Sequence, residues 1–153
     1  MGDLYDADLS HTVWRNGDIH FANFSRAVIR NTDFSDSKIS GARFDMASIS
    51  SSNFTNTNLS RCLFNDCKIE NTNFHTSQLN QCTFNNTTLR NCTLDGAVMH
   101  NQIAPPAFAG CSLDYVEIDD EDVEWFEQQV KEGNISGTPL LISDMQDEDE
   151  DED

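Results

Sequence analysis

The five-residue units ANFSR, AVIRN, TDFSD, SKISG and ARFDM follow one another without a gap over residues 22–46. The central residue of each unit is large and apolar, and the same spacing of large apolar residues extends from Leu4 to Leu94. The residue two places before each of them is always Gly, Ala, Ser, Thr or Cys. A period of five matches neither the 3.6 residues of a helical turn nor the two-residue alternation of a strand. The pattern therefore indicates a repeat protein with its own regular geometry.

Units such as Ala7-Asp8-Leu9-Ser10-His11 resemble the pentapeptide-repeat family, whose consensus is Ala-Asp/Asn-Leu-x-x, and the likeness extends over about residues 2–104. The resemblance implies an all-β solenoid, a right-handed quadrilateral β-helix of about five coils with one unit per side and four units per coil. The residues support this independently, because residues two apart on an extended segment point the same way. The small and the large position can then both face inward.

Stacking at twenty-residue intervals makes further predictions. Phe recurs every ten residues from Phe24 to Phe84, which predicts two facing columns of rings in the core: Phe24, Phe44, Phe64 and Phe84, and Phe34, Phe54 and Phe74. On the outside, Glu70 is expected to pair with Arg90 on the next coil. Asn71 and Asn91 share a column that is open to two interpretations, an amide ladder or simple turn chemistry.

The repeat weakens near Ile103 and is interrupted by Pro105-Pro106. Two successive prolines cannot continue ladder hydrogen bonding, which predicts a loop near 103–110 within a β-helix spanning 1–118. The register then resumes, shifted, from Cys111. This loop is either a recognition element or a turn that closes the last coil.

Residues 119–133 predict an acidic amphipathic capping helix. Val123, Phe126 and Val130 have helical spacing, the acids at 119–122 suit a helix start, and Gly133 suits its end. These three apolar residues would cover the open end of the solenoid or form a homodimer contact. Trp125, beside them, is either a cap residue or an anchor for a partner. In the segment 134–153 we expect one short strand over 137–142 and a disordered acidic tail from Gln146.

The net charge of −18 is unevenly distributed. Residues 1–118 hold twelve acids and eight bases, whereas residues 119–153 hold fifteen acids and one base. This balance disfavours direct binding to nucleic acid or an anionic membrane and favours a partner with a basic surface. Four of the five cysteines occupy the small, inward position, which predicts reduced thiols in a cytoplasmic protein. No stretch is apolar enough for a signal peptide or a membrane span.

The sequence contains no recognisable catalytic motif, and its four histidines are scattered, so we expect no enzyme, metal or cofactor.

Some members of the family that the chain resembles mimic duplex DNA and modulate topoisomerases. The coil here is nearly neutral, so the negative charge that could imitate DNA phosphates lies at the C-terminal end. One hypothesis is an inhibitor or modulator of a nucleic-acid-handling protein, and the candidate partner-binding residues are Pro105, Pro106, Phe108, Asp119, Asp120, Glu121, Asp122, Glu124 and Trp125. The alternative is an adaptor or effector scaffold that binds another protein through its neutral coil, with a tail that only confers solubility.

Overall fold

The computed structural model describes residues 2–99 and 106–141, with the side chains of 138–141 excepted. Each five-residue unit forms one side of a four-sided β-helix, and the chain returns to the same side after twenty residues. One side is a six-stranded parallel sheet in chain order, made of β1 (Val28–Arg30), β2 (Ser48–Ser50), β3 (Lys68–Glu70), β4 (Thr88–Arg90), β5 (Cys111–Ile118) and β6 (Ile135–Leu141). Isolated parallel bridges, such as Asn53 with Asn73, join the other sides. The quadrilateral β-helix that the family resemblance implies is confirmed.

The corners explain the last position of the repeat. The amide of Ala27 donates to the carbonyl of Phe24 at 3.0 Å, and Arg26 between them has a φ of 62°. The same left-handed conformation recurs at the fifth position of unit after unit. Asn, Asp and Gly tolerate it best, which accounts for their frequency there.

The predicted columns of rings are confirmed. Phe64 stacks between Phe44 and Phe84, with ring centroids 4.7 and 5.0 Å apart. The facing column has Phe54 stacked on Phe34 at 5.0 Å, and the two columns meet edge to face, as Phe64 and Phe74 do at 6.2 Å. All seven repeat phenylalanines are fully buried. Their burial makes the dominant favourable contribution to the folding of the rod.

The small inward position also serves the hydrogen-bond network. Thr57 Oγ1 donates to the carbonyl of Phe34 on the coil below at 2.8 Å, and Cys82 Sγ donates to that of Leu59 at 2.9 Å. A hydroxyl or thiol at this position can therefore be buried with its hydrogen bond satisfied.

The register changes at the predicted interruption. Gln78 pairs with Val98, twenty residues on, whereas Thr83 pairs with Ala107, twenty-four residues on. Four residues beyond the repeat therefore lie between Val98 and Ala107. Of the predicted loop, residues 103–105 lie outside the described residues. The shifted repeat resumes with Phe108, whose ring stacks on Phe84 at 5.0 Å.

The C-terminal segment closes the last coil. A 3₁₀ turn over Asp120–Asp122 leads into α1 (Val123–Lys131), so the regular helix is shorter than the predicted 119–133. The predicted strand is β6, which lies parallel to β5. The tail predicted to be disordered lies outside the described residues.

Within the described ranges, no helix has the length and apolarity needed to cross a membrane.

Candidate protein-binding surface at the C-terminal end

Pro106 and Phe108 do not belong to an exposed recognition loop. Phe108 is 3% exposed and Pro106 is buried, because Phe108 takes the large inward position of the shifted repeat and Pro106 the small one. Both side chains therefore belong to the core, which corrects their expected placement on a binding surface. Pro105 lies outside the described residues.

Helix α1 covers the end of the solenoid. Phe126 is fully buried and its ring centroid lies 5.6 Å from that of Phe108, while Val123 packs against the core and is partly buried. Trp125 is half-buried and contacts Phe108 and Phe126 edge to face at 5.7 and 4.9 Å. Val130 is 38% exposed. The structure thus places Val123, Phe126 and Trp125 in the cap, and a homodimer through this helix stays a prediction.

The candidate acids are not equivalent. Asp119 is half-buried and accepts a hydrogen bond from the amide of Gly96 at 2.7 Å, which fixes the cap to the coil below. Asp122 is buried. Asp120, Glu121 and Glu124 are exposed, as is Glu127 on the next turn of the helix. We call Asp120, Glu121, Glu124 and Glu127 the acidic cap. Within the described part of the chain, none of these four carboxylates has a hydrogen bond or an ion pair.

A short polar column connects the cap with the coils. His75 Nδ1 lies 2.8 Å from a carboxylate oxygen of Asp95, and Asp95 is hydrogen-bonded to Asp119 on the next coil. Burial, together with the neighbouring Asp95 carboxyl, raises the pKa of Asp119. The carboxyl of Asp119 therefore lies where the cap meets the coil below.

Along the coil, by contrast, five acids form ion pairs with arginine or lysine. Arg15 pairs with Asp33, and four further pairs have N···O distances of 3.2–3.6 Å: Arg26 with Asp6, Arg43 with Asp45, Lys68 with Glu70, and Arg90 with Asp114. The predicted pair of Glu70 with Arg90 is wrong, because each finds a nearer partner on its own or the following coil. Other coil acids, such as Asp36 and Asp66, accept hydrogen bonds from asparagine side chains, whereas the four carboxylates of the acidic cap have neither kind of partner within the described residues.

The cysteines are core residues. All five are buried and free, and burial raises the pKa of Cys67, Cys82 and Cys111 to about 12 and that of Cys92 to about 11. The thiolate is the reactive form, so these groups are unreactive in the folded chain.

Among residues 2–99 and 106–141, no three His, Cys, Asp or Glu side chains lie close enough together to hold a metal ion.

A groove at the end of β5 was not foreseen. It has a volume of about 520 Å³ and is lined by Asn71, Thr72, Asn73, Asn91, Cys92, Thr93, Tyr115 and Glu117. The sequence carried one signal for it: Tyr115 occupies a corner column that otherwise holds His11, Asn31, Ser51, Asn71 and Asn91. The register shift near Pro106 obscured that alignment.

These features define a repeat solenoid with a packed core, polar sides and an acidic cap. The chain belongs to the pentapeptide-repeat family: the family model for pentapeptide repeats matches in eight copies over residues 3–45 and 42–81, just over half of the 153 residues. Proteins of this family are generally structural or binding modules without catalysis.

Two solved structures illustrate the likeness. A pentapeptide repeat protein from the thylakoid lumen of Arabidopsis thaliana is 18% identical, with coverage of 82% of this chain and 77% of that chain and a TM-score of 0.53. One from the cyanobacterium Nostoc PCC 7120 is 16% identical, with coverage of 72% and 84% and a TM-score of 0.51. At these identities the likeness concerns the fold alone. No curated protein sequence matches the chain significantly.

Proposed function

We propose that this protein is a non-catalytic inhibitor or modulator that occupies the basic, nucleic-acid-binding surface of another protein with its acidic cap. The observation that carries the proposal is the set of four exposed carboxylates at one end of the rod, none of them paired within the described residues. Residues 142–153 add eight further acids to the same end of the sequence.

The physical reason is competition for the same cations. A protein that binds duplex DNA presents lysines and arginines to phosphates, and the energy of that contact is strongly dependent on salt. Carboxylates on a rigid rod can engage those side chains without the entropy loss of ordering a flexible acidic peptide. Exposed charges separated by more than about 10 Å are screened at 0.1 M salt, so the proposed contact should weaken steeply as salt is added.

Displacement of labelled duplex DNA from purified bacterial DNA gyrase, measured at 50 and 300 mM salt, tests the proposal. We expect displacement at low salt that is largely lost at high salt. The triple variant Glu121→Gln, Glu124→Gln, Glu127→Gln should raise the concentration needed for half-displacement several-fold at low salt.

The matched control changes three exposed acids of the coil, Asp3→Asn, Asp36→Asn and Asp66→Asn, and so alters the net charge equally. Equal losses in both triple variants would contradict a role specific to the cap. Deletion of residues 145–153 separates the tail from the cap, since unchanged displacement by the truncated chain would remove the tail from the mechanism.

A second candidate function, a scaffold that binds a protein through the coil, is favoured by a specific surface. Tyr5 and Met46 are 51% and 62% exposed and line one groove of about 240 Å³ together with Arg26, whose guanidinium lies 5.6 Å from the Tyr5 ring centroid. Binding through this surface should be little affected by salt and should be lost in Met46→Asn, whereas cap variants should leave it intact.

A cytoplasmic location is part of the same proposal. It is supported by five free, buried thiols, which fit a reducing compartment. Mass spectrometry of the protein alkylated in lysates of its native host, under denaturing conditions, should find all five cysteines as thiols.

A further inference from the structure

The groove at the end of β5 runs along the corner that β3, β4 and β5 share. One wall consists of the corner residues Asn71, Asn91 and Tyr115, and the other of the first outward residues of the next side, which are Asn73, Thr93 and Glu117. Stacked coils place equivalent residues directly above one another, as the pairing of Thr93 with Glu117 shows. The groove is therefore a built feature of three successive coils, separate from the acidic cap.

The walls present hydrogen-bond acceptors. Asn91 Nδ2 donates to Asn71 Oδ1 at 3.2 Å, which confirms a ladder contact between these two residues and orients the Asn91 carbonyl oxygen as an acceptor. The side-chain carbonyl oxygen of Asn73, Oδ1, accepts a hydrogen bond from the backbone amide of His75 at 2.7 Å and retains a second lone pair.

Glu117 supplies the charge. Its backbone is fixed on both sides, since its amide donates to Cys92 and its carbonyl accepts from Leu94, at 2.9 and 2.8 Å. The side chain is half-buried, and its carboxylate has no partner among the described residues. Arg90, the cation of the neighbouring column, is paired with Asp114 at 3.4 Å. This carboxylate is therefore available to form an ion pair with a cationic ligand.

Tyr115 supplies an aromatic face. It is 55% exposed and has a φ of 53°, a conformation that disfavours bulky residues and that Asn accepts readily. No ring contact or hydrogen bond of its side chain occurs within the described residues. An aromatic residue in this column is costly for the fold and leaves its ring open to a ligand.

We propose that this groove binds an arginine side chain of the partner protein. A planar guanidinium can form a bidentate pair with the Glu117 carboxylate, stack on the Tyr115 ring and donate its remaining N–H groups to the carboxamide oxygens of Asn73 and Asn91. Lysine has no planar face to stack and fewer donors. The inference rests on the proposed function for the origin of the arginine, in the basic surface of the partner, but the groove itself can be tested without any partner.

The probe is the peptide acetyl-Gly-Arg-Gly-amide, titrated into the full-length ¹⁵N-labelled protein and followed by NMR. We expect chemical-shift changes at the side-chain amides of Asn71, Asn73 and Asn91 and at the backbone amides of Tyr115 and Glu117. The same peptide with citrulline, which keeps the shape and loses the charge, should produce none.

Variants assign the contacts. Glu117→Gln should weaken arginine-peptide binding about fivefold, and Tyr115→Asn, which suits the left-handed backbone, about threefold. Asp3→Asn makes the same charge change on the first coil, at the other end of the rod, and should leave binding unchanged. No shift changes at these five residues, equal responses to both peptides, or equal weakening by Asp3→Asn would overturn the proposal. Arginine binding here with no displacement of DNA from gyrase would leave the groove standing and refute the proposed function for gyrase as the partner.

Discussion

Truncation of one ring in the central column tests what holds the rod together. Phe64 is fully buried, stacks on Phe44 and Phe84 and meets Phe74 edge to face. Phe→Ala changes in packed cores cost about 3–5 kcal/mol. Since a domain of this size is stable by about 5–15 kcal/mol, Phe64→Ala is expected to remove a fifth or more of the free energy of unfolding.

Phe64→Leu separates the ring contacts from simple burial. Leucine retains most of the apolar area but loses three aromatic contacts, each worth about 0.5–1.5 kcal/mol beyond area. We therefore expect Phe64→Leu to lower the free energy of unfolding by about 1.5–4.5 kcal/mol. Urea unfolding measures this, with circular dichroism for the coils and fluorescence of Trp14 and Trp125 for the two ends of the rod.

A double-mutant cycle with Phe44→Leu gives the sharper readout, because it isolates the coupling between two stacked rings. We expect a coupling of about 0.5–1.5 kcal/mol. A loss below about 0.5 kcal/mol for Phe64→Leu, together with additive single changes, would refute the view that ring stacking contributes beyond burial. Leu59→Ala on a neighbouring side provides the purely aliphatic comparison, with an expected loss of about 2–5 kcal/mol.

Three other changes probe the cap, the thiols and the last strand. Burial and the neighbouring Asp95 carboxyl raise the pKa of Asp119, so the folded chain holds its proton more tightly than the unfolded chain and its contribution to stability falls as pH rises above the ordinary value of 3.8. Asp119→Asn should therefore raise the melting temperature at pH 7 and lose this advantage below pH 3.8. The five cysteines should react with Ellman's reagent only after urea unfolding, and fast labelling of the native protein would contradict their burial. At Gly137 a Cβ atom would collide with the carbonyl of Leu113, so Gly137→Ala should cost at least about 2 kcal/mol, against about 1 kcal/mol for the control Gly133→Ala, where φ is also positive but the space is open.

The repeat by itself determined the coil. Small and large residues at fixed places in a five-residue unit leave only one set of side chains to face inward. With the four-unit coil that the family resemblance implies, both columns of rings follow from the ten-residue spacing of Phe. The helix and the last strand were predicted from local pattern, with ends displaced by a few residues. Such predictions succeed because each depends on residues close in the chain or separated by a constant interval.

Only the tertiary structure decided what happens where that interval changes. The shift from twenty to twenty-four residues places Phe108 on Phe84 and so turns an expected recognition residue into a core residue. The same shift sets Tyr115 above Asn91 and Glu117 above Thr93. It also places Asp114 above Arg90, which pairs with Asp114 although Glu70 lies on the coil below it. A side chain's partners depend on which residue lies on the next coil, and after an insertion of unknown length the sequence does not contain that information.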